Sequence, residues 1–256
     1  VLNYEAELIR IRTPLDRGIV QVNGNAGALP RDRYLGDPSR DNLHVNGDTH
    51  QFTLDHDLGQ GWRTRVGASY RETDLYGEAV DLTGTLQADG RTLTRRDSWR
   101  SLPARDTSVQ AEVEGKLQTG GLRHTMLAGV ESWRLFMGQD IRYSTLASQP
   151  FAIDIDNPTY GQAPGNLTPG FDTRDRQRAT GLFVQDQMDL SERWKLLAGV
   201  RFDRYHQDYE NRLASTVQTQ SHSAATPRVG VTYLVNDRTS VYASAGRSFR
   251  PNTGAD

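Results

Sequence analysis

The sequence predicts an all-β fold: an antiparallel transmembrane β-barrel, of which this chain supplies an incomplete part of about nine strands. Three observations predict it. Apolar and polar residues alternate with a period of two through most of the chain. Turns of hairpin length alternate with long polar loops. Several alternating runs exceed the five or six residues typical of a strand.

The elements follow in order. Trp62, Thr64, Val66, Ala68 and Tyr70 form one face of a run whose other face is Arg63, Arg65, Gly67, Ser69 and Arg71. The same split recurs for Val109–Leu117 against Ser108–Lys116, and for Trp194–Phe202 against Lys195–Asp203. Successive strand residues point to opposite sides, so each run is half buried and half wet. Gly59-Gln60-Gly61, Gln118-Thr119-Gly120-Gly121, Ser191-Glu192-Arg193 and Asn236-Asp237-Arg238 read as hairpin turns. Closing the first turn pairs Leu58 with Trp62, Leu54 with Val66 and Phe52 with Ala68. The second pairs Leu117 with Leu122, Val113 with Met126 and Val109 with Val130. The third pairs Val184 with Val200 and Leu182 with Phe202. The fourth pairs Tyr233 with Val241, Val231 with Ala243 and Val229 with Ala245. Apolar faces meet in all four, a match that a slip of one residue destroys. On the polar faces Asp57 meets Arg63, Asp55 meets Arg65 and Asp189 meets Lys195. Asp186 breaks the pattern, falling on the apolar face opposite Ala198, where a bulge would correct it.

The remaining connections, 13–45, 78–92, 144–174 and 211–222, read as long loops, and strands over 91–117, 121–143 and 193–212 read as tall. Short turns then fall at one end of the sheet and large loops at the other, the asymmetry of outer-membrane barrels. In lipid every backbone polar group needs an internal partner, and a closed barrel supplies one to strands. Trp62, Tyr70, Trp194, Phe202 and Tyr233 stand near predicted strand ends, where interfacial girdles belong. A soluble sandwich or barrel is the competing reading of the alternation.

Composition agrees. The chain has 256 residues, 24% charged and 36% hydrophobic, with mean hydropathy −0.67 and net charge −2. No run approaches the roughly 18 apolar residues of a spanning helix. There is no cysteine, so disulfide scaffolds and thiolate chemistry are excluded. The charge gives no global footprint for nucleic acid. The chain starts at Val1 without a charged-then-apolar leader and stops abruptly after a Pro-Asn-Thr-Gly loop, which reads as a piece of a longer protein.

The run Gly181-Leu182-Phe183-Val184-Gln185-Asp186-Gln187, then Trp194-Lys195-Leu196-Leu197-Ala198-Gly199-Val200-Arg201-Phe202-Asp203, resembles the barrel of TonB-dependent siderophore receptors. So do Thr226–Val231 and Val241–Asn252. Thr13-Pro14-Leu15-Asp16-Arg17-Gly18, Leu29–Gly36 and Tyr160-Gly161 after Asp154–Pro158 look like loop segments of the ferrichrome-type branch. The resemblance spans nearly the whole chain, so that 1–256 reads as one partial barrel domain. It implies a barrel of roughly 22 strands around an N-terminal plug, with a short box that engages TonB. Plug, box and last strands are absent from this sequence, so the function belongs to the parent protein. The function the resemblance implies for the parent is TonB-coupled uptake of a ferric siderophore across the Gram-negative outer membrane. Implied partners are the siderophore, of hydroxamate type by the ferrichrome-type likeness, the TonB complex, and outer-membrane lipid and lipopolysaccharide. No nucleic acid is implied.

Enzymatic motifs are lacking: there is no Gly-x-Ser-x-Gly elbow, phosphate-binding glycine loop or His-Glu-x-x-His helix. An intact chelate carries its own iron as cargo, so no protein cofactor or metal ligand is expected. Contacts are expected from aromatic and polar residues of the long loops and upper lumen: Tyr76, Trp99, Trp133, Tyr143, Phe151 and Tyr160. Each also fits loop packing or girdle anchoring. His50 and His56 share a strand face too far apart for one metal. Asp154-x-Asp156-Asn157 lacks the glycine and distal glutamate of a calcium loop. Glu112 and Glu114 share a polar face suited to a wet lumen. For Arg91, Arg95, Arg96 and Arg100 three roles stay open: lipopolysaccharide phosphates, an anionic chelate, or a solvated rim. A passive porin or a soluble β-sheet binding module is the alternative function.

Overall fold

The computed structural model describes residues 1–144 and 151–253. Ten strands form one antiparallel sheet: β1 (Leu2–Thr13), β2 (Asn42–Gly59), β3 (Trp62–Leu86), β4 (Thr92–Thr119), β5 (Leu122–Tyr143), β6 (Ile153–Asp154), β7 (Thr168–Asp189), β8 (Trp194–Asn211), β9 (Thr216–Asn236) and β10 (Thr239–Gly246). Nine follow one another across the sheet in chain order, and the two-residue β6 pairs with the start of β4. Residues 145–150, within the predicted 144–174 loop, and 254–256 lie outside the described residues.

Three of the four expected registers are observed. Leu54 pairs with Val66, Val184 with Val200, and Val229 with Ala245. At the first turn a bulge next to Gly59 sets that residue, not Leu58, opposite Trp62. The β4–β5 register differs by two residues: Val113 pairs with Ala128 and Val109 with Ser132. The cause is a turn of only Gly120-Gly121, Gly120 taking φ 58°, where four turn residues were expected. A shift of two leaves every side chain on its predicted face.

The connections differ more. The expected 78–92 loop is mostly strand, with only 87–91 between β3 and β4, and the expected 211–222 loop is reduced to 212–215. Two long connections remain on the side opposite the short turns: 14–41 between β1 and β2, and the one between β5 and β7, which carries β6.

Register parity assigns the faces. On the outer face Phe52, Val66, Ala68, Ala111, Val113, Val130, Leu182, Val184, Phe202, Val229 and Val241 form a continuous apolar band. Trp62, Trp194 and Tyr233 edge it at the short turns, Trp194 and Tyr233 with ring centroids 4.7 Å apart. The Trp62 ring lies across Gly115, where a Cβ would sit 2.1 Å from it. The upper edge is a row of Tyr4, His50 and Tyr70, in which the Tyr4 hydroxyl meets His50 Nδ1 at 2.7 Å. Eight residues separate Trp62 from Tyr70, as they do Trp194 from Phe202. With strand rise and tilt that is roughly 20–26 Å, matching the apolar height of an outer-membrane barrel. Tyr70 and Phe202 thus mark this edge in mid-strand rather than at strand ends. Above it the outer face turns charged, with Arg105–Glu72 and Arg10–Asp48 each at 2.7 Å. There both faces of the tall strands meet water.

Candidate functional site

The inner face carries the polar halves of the alternating strands. Near the turns it is a ladder of ion pairs: Arg65–Asp55 at 2.6 Å, Arg63–Glu114 at 2.8 Å and Lys195–Asp189 at 2.9 Å. Glu112 stands in register with Arg65 and Glu114 with Arg63, so the two carboxylates belong to this ladder. Midway, Arg201 bridges Glu131 at 3.0 Å and Asp203 at 2.8 Å. Phe183 lies across Gly129, whose missing Cβ leaves room for its ring.

Higher on the same wall the chemistry changes from ionic to aromatic and amide. Trp133 and Tyr205 approach with ring centroids 6.2 Å apart. The Tyr205 hydroxyl donates to Gln207 Oε1 at 3.1 Å, Gln207 Nε2 donates to the Asp175 carboxylate at 3.0 Å, and Gln177 Nε2 donates to it at 2.8 Å. Residues 247–251 lie over this wall and close a cleft of about 580 Å³ lined by Trp133, Phe183, Arg201, Tyr205 and Phe249. Tyr143 stands further up, with the Arg96 guanidinium 3.8 Å over its ring and Phe171 against its edge.

The two long loops build a cap over the β3–β4 end. Leu29, Leu35, Leu93, Ile153 and Ile155 form a buried cluster there. Arg95, fully buried, donates to the carbonyls of Phe151 at 3.0 Å, Leu35 at 3.1 Å and Gly36 at 2.7 Å. Asp37 accepts from the Ser39 hydroxyl at 2.6 Å and the Gly161 amide at 2.9 Å. Burial pushes its carboxyl up, but these hydrogen bonds and nearby Arg95 prevail and hold it below the ordinary aspartate value. Asp41 accepts from the Val80 amide at 2.6 Å and from the Tyr34 hydroxyl, whose pKa is raised by burial and by that bond.

The six sequence-predicted contacts do not converge. Trp133 and Tyr143 are on the inner wall. Tyr76 and Trp99 share by register the outer face, Tyr76 stacked on His44 at 5.0 Å and Trp99 under Arg142 at 5.3 Å. Phe151 is fully buried against Arg95. Tyr160 is exposed in the cap and donates to the Tyr34 carbonyl at 2.7 Å. The four arginines do not act as one group: Arg95 is buried, Arg96 and Arg100 are partly buried, and Arg91 is exposed at the surface. Arg91 pairs with Asp154 at 2.6 Å, Arg95 holds the cap, and Arg96 and Arg100 face Asp81. Asp154 also accepts the amides of Asp156 and Asn157, as a loop-closing aspartate. Among the described residues no cluster of His, Asp and Glu is placed to hold a metal. Sequence reading missed Tyr205, Asp175, Gln177 and Gln207. Their parity with Arg201 and Asp203 placed them on the polar face, which was the available signal.

Asp186 is accommodated without a bulge. Its register opposite Ala198 is unbroken, and its carboxylate meets His124 Nδ1 at 2.7 Å while His124 Nε2 meets Thr119 Oγ1 at 2.8 Å.

The described fold has close counterparts. The siderophore receptor PiuA of Acinetobacter baumannii superposes with TM-score 0.73 at 17% identity, over 95% of this chain and 39% of that one. The open form of the ferric-catecholate import receptor Fiu of E. coli K12 superposes with TM-score 0.76 at 17% identity, over 98% and 44%. Among curated proteins, the metal-pseudopaline receptor CntO of Pseudomonas aeruginosa UCBPP-PA14 is 38% identical over all of this chain and 37% of its own length. The ferrichrome outer membrane transporter/phage receptor of Escherichia coli K12 is 25% identical over 92% and 34%. The chain therefore spans just over a third of the length of these relatives. The profile of the family described as TonB dependent receptor-like, beta-barrel matches residues 2–256, and the chain belongs to that family.

Proposed function

We propose that the intact protein is an outer-membrane receptor that takes up a metal chelate by TonB-coupled transport. The upper inner wall described above is its chelate-facing surface. The observation that carries this reading is the change of chemistry along that wall. A matched ion ladder below gives way on β5, β7 and β8 to Trp133 and Tyr205 beside the Asp175, Gln177 and Gln207 amide–carboxylate group, with Tyr143 further up. Rigid aromatics with adjacent polar groups are suited to an organic chelator that presents both apolar and hydrogen-bonding surface. The chelate brings its metal with it, so the wall needs no ligand cluster. The 38% identical relative, named a metal-pseudopaline receptor, supports a metal–metallophore chelate as cargo. Relatives named for ferrioxamine and ferrichrome, at 24% and 25% identity, support the hydroxamate alternative more weakly. Of the six sequence candidates, Trp133, Tyr143 and Tyr160 are retained as contacts. Tyr76, Trp99 and Phe151 serve the outer face and the cap.

The test is growth of a receptor-deletion strain on single metallophores, complemented by the intact receptor and its variants. Trp133→Ala is expected to weaken uptake of the cognate chelate about tenfold or more, while Tyr76→Ala and Trp99→Ala leave it unchanged. Wild-type uptake by Trp133→Ala would remove the inner wall from the site. Steady ion conductance in planar bilayers without energised uptake would replace the receptor by a passive porin.

A further inference from the structure

The inner face carries a basic group high above the Trp133–Tyr205 wall. Arg96 and Arg100 of β4 share by register the face of Glu112 and Glu114, on which Asp81 of β3 and Tyr143 of β5 also stand. Arg17 of the first long loop reaches the same place, its Nη2 2.6 Å from Asp81 Oδ1. Three guanidiniums thus surround one carboxylate, and Asp81 does not saturate them. Its one short bond is to Arg17. Arg100 Nη2 lies 3.4 Å from both Asp81 oxygens and donates at 2.6 Å to Ser98 Oγ, while Arg96 Nε stands 3.8 Å from Asp81. Among the described residues the Nε atoms of Arg96 and Arg100 are buried with no hydrogen-bond partner. No second acid lies within 4 Å of these three arginines among the described residues, and residues 145–150, next in the chain after Ser144, contain no Asp or Glu. Arg96 is held by a ring rather than an acid. Its guanidinium lies 3.8 Å over Tyr143, whose ring meets Phe171 edge-on. A guanidinium stacked in this way keeps its in-plane donors for a ligand.

Place and charge together identify what this group takes. Tyr143 stands ten residues above Trp133 on β5, about 33 Å along the strand, on the side of the long loops and facing the interior. A ligand entering from that side meets an excess of two positive charges before it meets the aromatic wall. Buried N–H donors without acceptors are unfavourable, so the group is completed by a ligand that brings acceptor oxygens. A guanidinium binds a carboxylate through two parallel N–H···O bonds. A neutral hydroxamate chelate, whose oxygens are engaged by its metal, offers no such anion, and a cationic chelate is repelled. We propose that Arg17, Arg96 and Arg100 form a carboxylate-recognition site, and that the cargo is a net-anionic, carboxylate-bearing metal chelate rather than a hydroxamate. The inference rests on the receptor reading above and narrows it. Asp81 then holds Arg17 in place and yields Arg96 and Arg100, its two long contacts, to the carboxylates of the chelate.

The test uses the intact receptor in detergent, with bound metal measured by equilibrium dialysis. The probes are ferric citrate and zinc nicotianamine, which carry carboxylates, ferrichrome, which is neutral, and ferrioxamine B, which is cationic. At least one carboxylate chelate is expected to bind about tenfold or more tighter than the two hydroxamates. Arg96→Gln/Arg100→Gln should weaken that binding on the order of a hundredfold, and Arg100→Gln alone about tenfold. The same variants should change ferrichrome binding by no more than about twofold. Arg96→Lys/Arg100→Lys, which keeps the charge and loses the fork, should fall between. Asp81→Asn, which removes the competing carboxylate, should tighten the carboxylate chelate about threefold, an effect that a merely structural ion pair does not give. Heat-modifiable migration reports folding. If the double variant fails that check, Arg100→Gln and Asp81→Asn carry the test. Tighter binding of ferrichrome or ferrioxamine B would overturn the proposal, as would equal weakening of every chelate by the arginine variants. So would a receptor active in uptake that binds neither carboxylate chelate. Failure of the intact receptor to support energised uptake of any chelate would overturn the receptor reading instead.

Discussion

The Arg95 guanidinium donates from Nε to the backbone carbonyl of Phe151 at 3.0 Å and lies 4.7 Å over the ring of the same residue. One side chain of β4 thereby fixes the second long loop. Through Leu35 and Gly36 it also fixes the first. A buried arginine is costly unless its donors are met; here three loop carbonyls take Nε and Nη1, while Nη2 is buried without a hydrogen-bond partner among the described residues. Arg95→Met keeps much of the volume and removes every donor. We expect amide exchange in residues 29–41 and 151–161 to accelerate by the equivalent of about 3 kcal/mol, with exchange in the membrane band unchanged. Equal protection in both proteins would show that the apolar cluster alone holds the cap.

Asp37 gives the cap an acid limit. Its carboxyl is held below the ordinary aspartate value, so the folded cap binds its proton less readily than an open loop does. The stabilisation is therefore full above about pH 4, the ordinary aspartate value, and is lost as pH falls through the lower folded value. Amide exchange of residues 34–41, followed from pH 7 down to pH 3, should report loosening confined to the acid end. Asp37→Asn should lower protection at neutral pH and flatten that dependence. A cap whose protection falls between pH 7 and 5 would assign the titration to another group.

Gly115 and Trp62 form a girdle contact that depends on the absence of a side chain. A Cβ on Gly115 would meet the indole at 2.1 Å, so Gly115→Val must turn Trp62 away from the sheet. Overpacking of this kind costs about 1–3 kcal/mol. In vesicles the intact receptor should lose that much stability in urea titration, with an altered quenching depth for the Trp62 emission. Unchanged depth would mean that the ring has another resting place.

The faces and the central registers were legible in the sequence because lipid on one side and a wet interior on the other enforce strict alternation. Val66, Val184 and Val229 were paired correctly on that ground. The signal ends where the environment becomes symmetrical. Above the Tyr4–His50–Tyr70 row water wets both faces, alternation vanishes, and residues 78–86 and 216–222 read as loop although they continue β3 and begin β9. The site suffered from the same limit. Aromatic content selected Tyr76 and Trp99 together with Trp133, yet parity carried up from Trp62 and Val109 already set the first two on the outer face. The loop contacts of Arg95 had no such signature, since packing between segments far apart in the chain leaves no period.

Asp186 was the one residue that violated the alternation, and its partner explains why it is tolerated. His124 sits diagonally across the β5–β7 ladder and binds it at 2.7 Å, two residues into β5, with Asp186 three residues before the end of β7. A carboxylate on the lipid-facing side is unfavourable in proportion to its depth, and at this rim a hydrogen-bonding imidazole meets one of its oxygens. Removing His124 alone leaves Asp186 without that bond, whereas removing both leaves an apolar wall. His124→Leu should therefore destabilise the intact receptor more than the double variant His124→Leu/Asp186→Leu. The coupling expected between the sites in a double-mutant cycle, measured by urea unfolding in vesicles, is about 1 kcal/mol. Additive losses would mean that the two side chains are solvated independently by the headgroup region, and that the violation at Asp186 has no structural partner.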